Sequence, residues 1–210
     1  MTRFTQAELE AARDRLVPDV VADGLDVLFC GINPGLMTAA TGHHFARPGN
    51  RFWPVLHLSG FTPRLLRPAE QGRLPSLGLG ITNVVARATA RADELGAEEY
   101  REGGRLLALK VARLEPRFLA VVGVTAYRAA FGDRLAQVGP QERTFGRTRV
   151  WVLPNPSGLN AHWTAATMAE EYARLREAAR GGGEHGRGVH GGGEHGQGEH
   201  GGGVSTGPRP

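Results

Sequence analysis

At 210 residues, with 40% apolar and 22% charged side chains, the chain suits one globular domain and falls outside the fibrous and disordered composition classes. A single cysteine, Cys30, excludes an internal disulfide and any all-cysteine zinc or iron–sulfur site within one chain, and no apolar run approaches the length of a membrane span. The net charge of +4 hides an asymmetry: residues 181–210 hold two arginines against three glutamates, so the remainder carries +5, almost all as arginine, with Lys110 the only lysine.

An arginine excess permits a polyanionic partner, although a coding preference for arginine over lysine explains the composition equally well. Met1–Glu8 shows no signal-peptide pattern. A reduced, cytoplasmic protein is expected.

Taken in chain order, Thr5-Gln-Ala-Glu8 has the form of a capping box and predicts a helix to about Leu16. The apolar run Leu25–Ile32 predicts a buried strand over about Asp26–Ile32, stopping at Asn33-Pro34-Gly35. Asn50 caps a predicted helix to about Ser59, with Pro54 tolerable in its first turn. Pro68–Leu74 predicts a short helix and Gly80–Val85 a second strand. Apolar spacing over Ala97–Leu114 predicts a longer helix that stops before Pro116. Phe118–Val124 is a third strand, Thr125–Phe131 a helix ended by Gly132, Arg149–Leu153 a fourth strand and Thr164–Ala179 the closing helix.

Continuous apolar strands alternating with helices predict a three-layer α/β/α sandwich with a short, mainly parallel four-stranded sheet, filling residues 1–180. Beyond it, Gly181–His190 is repeated with small changes as Gly191–His200. So much glycine and so few apolar groups cannot offset the entropy of ordering, and a disordered tail over 181–210 is expected.

In an open α/β sheet, ligands bind at the carboxyl ends of the strands. There the sequence gathers Asn33-Pro34-Gly35, Thr82-Asn83, Gly123-Val124-Thr125 and Asn155-Pro156-Ser157-Gly158. Amides, hydroxyls and main-chain donors are plentiful and carboxylates are scarce. No G-x-G-x-x-G or G-x-x-x-x-G-K-[ST] loop follows a strand, which argues against dehydrogenase and NTPase readings. No Ser-His-Asp order with a nucleophile elbow appears, and no metal-ligand spacing. Phe45 lies in a loop rich in Gly, His and Arg, placed to stack on a ligand, while Arg47 and Arg51 are candidate phosphate contacts and Phe52 and Trp53 read as core.

Gly31-Ile-Asn-Pro-Gly35 with Thr41-Gly42, Phe45-Ala46, Pro48 and Asn50-Arg-Phe-Trp53, together with Trp151-Val-Leu-Pro-Asn-Pro-Ser-Gly-Leu159, closely resembles the mismatch-specific uracil-DNA glycosylases. These are bacterial relatives of thymine-DNA glycosylase, and the likeness covers roughly residues 20–178. The resemblance implies a monofunctional glycosylase of base excision repair in a bacterial-type, nucleoid-associated setting. It would flip uracil from double-stranded DNA bearing G·U or related mismatches and hydrolyse it away, with thymine and ethenocytosine as further candidates. It implies no metal and no cofactor, no membrane association, and a surface suited to a monomer.

By the same resemblance, Asn33 positions the attacking water, Gly31, Ile32, Pro34 and Gly35 form the base-binding wall, Phe45 stacks on the flipped base and Thr38 lies near its C5 edge. The loop Asn155, Pro156, Ser157, Gly158, Leu159 and Asn160 enters the DNA with Leu159 as wedge. Two departures stand out: Asn160-Ala-His-Trp163 replaces the usual Ser/Arg-containing continuation, and His43-His44 replaces small or apolar residues. Asp93, after the second strand, is a second catalytic candidate if its loop folds over the rim; the simpler reading is structural, an acid at a helix N-terminus favoured by the helix dipole. A catalytically silent binder of mismatched or abasic DNA is the rival reading, and a small-nucleotide-binding protein a weaker third.

Overall fold

The structure, a computed structural model, describes residues 4–181; the repeats of the predicted tail lie outside the described residues. Its elements run α1 (Gln6–Glu10), β1 (Val27–Gly31), α2 (Leu36–Thr41), α3 (Phe52–Leu58), β2 (Leu79–Asn83), α4 (Ala97–Leu114), β3 (Phe118–Val122), α5 (Val124–Phe131), β4 (Gly139–Phe145), β5 (Thr148–Leu153) and α6 (Ala165–Gly181). Short 3₁₀ turns at Pro68–Arg73, Pro75–Leu77 and Ala92–Glu94 punctuate the connections.

The sheet has five strands in the order β2-β1-β3-β5-β4. The four expected strands run parallel to one another, and β4 joins the edge antiparallel to β5. The expectation of four strands is therefore corrected by one. Gly139-Pro-Gln-Glu-Arg-Thr-Phe145 escapes an apolar-run reading because an edge strand is solvated on most of its surface. Its proline is tolerable only where one side of the ladder is open.

Strand pleating explains the three layers. Along β1, Val27 and Phe29 join a core with Phe52, Trp53 and Leu56 of α3 and Met168, Tyr172 and Leu175 of α6. Leu28 and Cys30 point the other way, into a second core with Leu107 and Val111 of α4 and Tyr127 of α5. Strands β3 and β5 alternate in the same sense, so the sheet is buried on both faces and its central strands read as unbroken apolar runs. Burial pushes the Cys30 thiol well above its ordinary pKa, so it behaves as a small buried hydrophobe.

Helix α4 keeps the predicted bounds, with Glu115 in the left-handed region ending it ahead of Pro116. Helix α1 stops at Glu10 rather than near Leu16. The chain continues in tight turns, and Leu16 is 74% exposed, so no buried apolar stripe rewards further winding.

Candidate active site

Parallel strands β1, β2, β3 and β5 end together, and the loops beyond them enclose a cavity of about 160 Å³. That is roughly ten times the volume a single water requires. Of the sequence-predicted residues, Gly31, Ile32, Asn33, Pro34, Gly35, Thr38 and Phe45 line it, joined by Asn155 and Ser157 from the loop after β5. Two segments more than a hundred residues apart in sequence thus form one wall.

Asn33 is held firmly. Its Nδ2 donates to the Arg87 carbonyl at 2.9 Å and to the Thr89 hydroxyl at 2.7 Å. A main-chain carbonyl can only accept, so the orientation of the amide is fixed and Oδ1 is left as its free acceptor. Thr89 is buried, donates to the Arg91 carbonyl at 2.8 Å, and gives its own N–H to the Pro34 carbonyl. The main-chain N–H groups of Asn33 and Gly35 donate to no other described residue. The site therefore offers one oriented acceptor and unspent main-chain donors within one small cavity.

Phe45 both packs on the core and lines the cavity. Phe52 covers one ring face, with centroids 4.0 Å apart and planes at 18°, while the ring stays half-buried at the cavity wall. Its φ of 55° is unusual for a side chain of this size and costs about 1–2 kcal/mol. The neighbouring His44 supplies the restraint. Its Nε2 meets the Pro18 carbonyl at 3.0 Å, its N–H donates to Gln71 Oε1 at 2.7 Å, and its carbonyl accepts from Trp53 Nε1 at 3.0 Å. Burial lowers the His44 pKa, despite the carbonyl contact that favours the cation, so the ring is neutral near pH 7.

Gly31 explains how so much converges here. A Cβ on it would stand 2.6 Å from Asn83 Oδ1 and 3.3 Å from the Phe45 ring, so only glycine admits both side chains to the strand end. Asn83, placed at the rim by the sequence but given no role there, lies on the cavity wall, and the Arg87–Thr89 segment that orients Asn33 is a functional candidate that the sequence reading did not single out. The available signal was an amide at the end of β2 and a hydroxyl six residues later. The loop after β2 does fold over the rim, but it delivers Thr89, Ala90, Arg91 and Ala92. Asp93 lies outside the cavity, 62% exposed and paired with Arg91, because the 3₁₀ turn Ala92–Glu94 directs it to solvent. Among the described residues, no aspartate or glutamate lines the cavity.

The loop after β5 is self-bonded. Asn155 Oδ1 accepts from the Ser157 N–H at 3.0 Å, and Asn160 Nδ2 donates to the Asn155 carbonyl at 3.0 Å. Pro156 is buried, Gly158 is exposed against the Gly49 carbonyl, and Leu159 projects at 78% exposure. Arg51 secures this loop. Its Nη2 donates to the carbonyls of Ser157 at 2.6 Å and Asn160 at 2.8 Å, Nη1 donates to the Trp163 carbonyl, and its N–H donates to the Pro156 carbonyl at 2.9 Å. The expectation that Arg51 meets phosphate is thus corrected, since both its Nη groups are engaged inside the protein and its Nε is buried out of reach. Arg47 remains exposed at the rim. Beyond Asn155 and Ser157 a second depression of about 420 Å³ is lined by Thr125, Leu159, Asn160, His162 and Trp163.

Residues 18–179 match the family model of the Uracil DNA glycosylase superfamily. The fold is similar to the solution NMR structure of a presumed uracil DNA glycosylase from Methanosarcina acetivorans. The TM-score is 0.53 and the identity 19%, over 78% of this chain and 98% of that one.

Proposed function

Because the chain belongs to the uracil DNA glycosylase superfamily, we propose that it is a monofunctional, mismatch-directed uracil-DNA glycosylase acting on double-stranded DNA as a monomer. The observation that carries this reading is one cavity walled by an oriented asparagine acceptor, a half-covered phenyl ring and unspent main-chain donors, beside a loop that projects a leucine.

A base inside a duplex is out of reach of such a cavity, so the nucleotide must swing out. Leu159 then fills the gap in the stack, the role of inserted apolar wedges. The second depression, on the far side of Asn155 and Ser157, gives room for the base left without a partner. The extruded uracil lies against the open face of Phe45, with the Asn83 amide available to its polar edge. Thr38, buried in the cavity wall, sets the space left for a substituent at C5 and hence the tolerance of thymine.

Asn33 Oδ1 accepts a hydrogen bond from a water and aims its oxygen at the sugar C1′. The C1′–N1 bond breaks with its electron pair leaving on the base, water oxygen bonds to C1′, and the water proton passes to solvent. An amide is too weak a base to drive this step. The rate must come from stabilising the departing base anion, for which the free N–H groups of Asn33 and Gly35 are the donors; preorganised donors of this kind contribute about 3–4 kcal/mol each.

Incubation with a G·U duplex in excess chelator, then alkali, tests the reading. Strand scission at the uracil position is expected, with free uracil in equal amount. Intact strands at high protein concentration, with mismatch binding retained, would establish the silent-binder alternative instead.

A further inference from the structure

At the other end of the sheet lies a separate depression of about 230 Å³, bordered by Asp26, Arg117, Arg176 and Arg180. Asp26 precedes β1 and Arg117 precedes β3, whereas the candidate base cavity collects the last residues of β1, β2 and β3. Strands of this length hold the two sites roughly 15 Å apart.

Among the described residues three arginines meet a single acid here, and that acid is already engaged: Asp26 Oδ1 accepts from Arg117 at 3.2 Å. Arg117 also borders a neighbouring depression with Arg147 and Arg149, where Glu115 is the only acid among the described residues. Arg149 is committed to the Ala178 carbonyl and the Phe118 ring face. Arg176 has no such commitment. Its guanidinium makes no hydrogen bond or ion pair with any described residue, yet its Nε is buried.

The group is also specifically accommodated. A Cβ on Gly60, whose φ is 77°, would fall 1.8 Å from Arg176 Nη1, so the guanidinium occupies the space a side chain would fill. The carboxyl end of α6 favours nearby cations but does not satisfy their donors. The planar fork of a guanidinium matches a tetrahedral oxyanion through its paired Nη donors.

We propose that this pole of the sheet is a phosphate-binding site. Arg176 presents its Nη donors to the oxyanion, and Arg117 and Arg180 complete the positive lining. Two sources share that chemistry: free phosphate, and the backbone of a DNA segment remote from the base cavity.

The test uses the full chain and inorganic phosphate, titrated calorimetrically against chloride at matched ionic strength. Saturable binding is expected in the parent, weakened about tenfold or more by Arg176→Gln and by a smaller factor by Arg180→Gln, an exposed substitution that leaves the fold intact. A purely structural Arg176 predicts loss of thermal stability in Arg176→Gln. A ligand-binding one predicts equal or higher stability in phosphate-free buffer, together with loss of the stabilisation that phosphate gives the parent. Binding of undamaged duplex across a salt series separates the sources. A salt slope reduced by about one in Arg176→Gln identifies backbone phosphate, and an unchanged slope with weakened phosphate binding identifies free phosphate. Absence of saturable phosphate binding in the parent overturns the site, as does parent-like phosphate affinity in both variants.

Discussion

Arg51→Ala separates the wedge loop from the base cavity more selectively than any change within either. Its guanidinium donates to the carbonyls of Ser157, Asn160 and Trp163, and no carboxylate among the described residues shares it. Hydrogen bonds from a charged donor contribute about 1.5–3 kcal/mol each. The released carbonyls lie in a half-exposed loop and recover water, so the net loss to the docked loop is put at about 2 kcal/mol in all. The main-chain bond from Arg51 N–H to the Pro156 carbonyl survives the substitution, so the loop loosens rather than detaches. At 1.4 kcal/mol per tenfold, that loss shifts the docked-to-undocked ratio by ~30-fold.

If duplex substrate requires Leu159 in place and single-stranded substrate does not, kcat/KM for a G·U duplex falls by up to that factor while excision from a single strand is nearly unchanged. Leu159→Ala should give the same split without disturbing the loop. Arg51→Lys keeps the charge but reaches fewer carbonyls, and should fall between. Acrylamide quenching of Trp163 reads the loop directly; it should rise in Arg51→Ala and not in Leu159→Ala. Equal loss on both substrates, or a duplex defect with unchanged quenching, would refute the reasoning.

Asn33→Ala should cost roughly a hundredfold or more in kcat, because the water loses its anchor, while binding of a mismatched duplex measured by fluorescence anisotropy stays near the parent's. Asp93→Ala should leave single-turnover excision within about twofold of the parent, its carboxylate being paired with Arg91 outside the cavity; a loss as deep as that of Asn33→Ala would return it to the chemistry. If departure of the base anion limits the rate, a uracil analogue with an electron-withdrawing C5 substituent no larger than the cavity admits should be released faster than uracil in single-turnover assays. Slower release would shift the weight to water activation. His44 binds a proton less readily folded than unfolded, so folding stability is full above about pH 6.5 and declines as the pH falls below it; denaturant midpoints between pH 7 and 5 should flatten in His44→Gln, and an equally steep decline would count against a buried neutral ring.

Legibility from sequence followed burial. Strands β1 and β3, and β5 from Val150 onward, are covered on both faces, so their residues are almost wholly apolar and stand out unaided. Helix α4 pairs a clean apolar spacing with a proline stop. Strand β4 has one paired edge and a mostly solvated surface, so nothing in its composition separates it from a polar loop except the Gly146-Arg147 turn that follows. Helix α2 has only six residues, buries Leu36, Thr38 and Ala39, and lies inside a motif whose Pro and Gly announce a turn.

The site was readable to the extent that its parts are local. Asn33 was visible because Pro34 and Gly35 forbid the strand to continue, and Leu159 because Pro-Ser-Gly lifts it from its loop. What orients Asn33 was not visible, because its partners lie 54 and 56 residues away, and no local pattern records a contact made only when a crossover loop closes over the rim. The same limit explains Asp93 and Arg51. A free carboxylate and a free guanidinium look alike in sequence whether they face a ligand, a neighbour or water, and here one faces an arginine and the other three carbonyls. A site built from amides and main-chain donors depends on orientation more than on charge. A misplaced amide is merely a weak dipole, whereas a misplaced carboxylate still carries its field. The residues that hold Asn33 and the wedge loop in place should therefore matter to turnover nearly as much as the groups that meet the base.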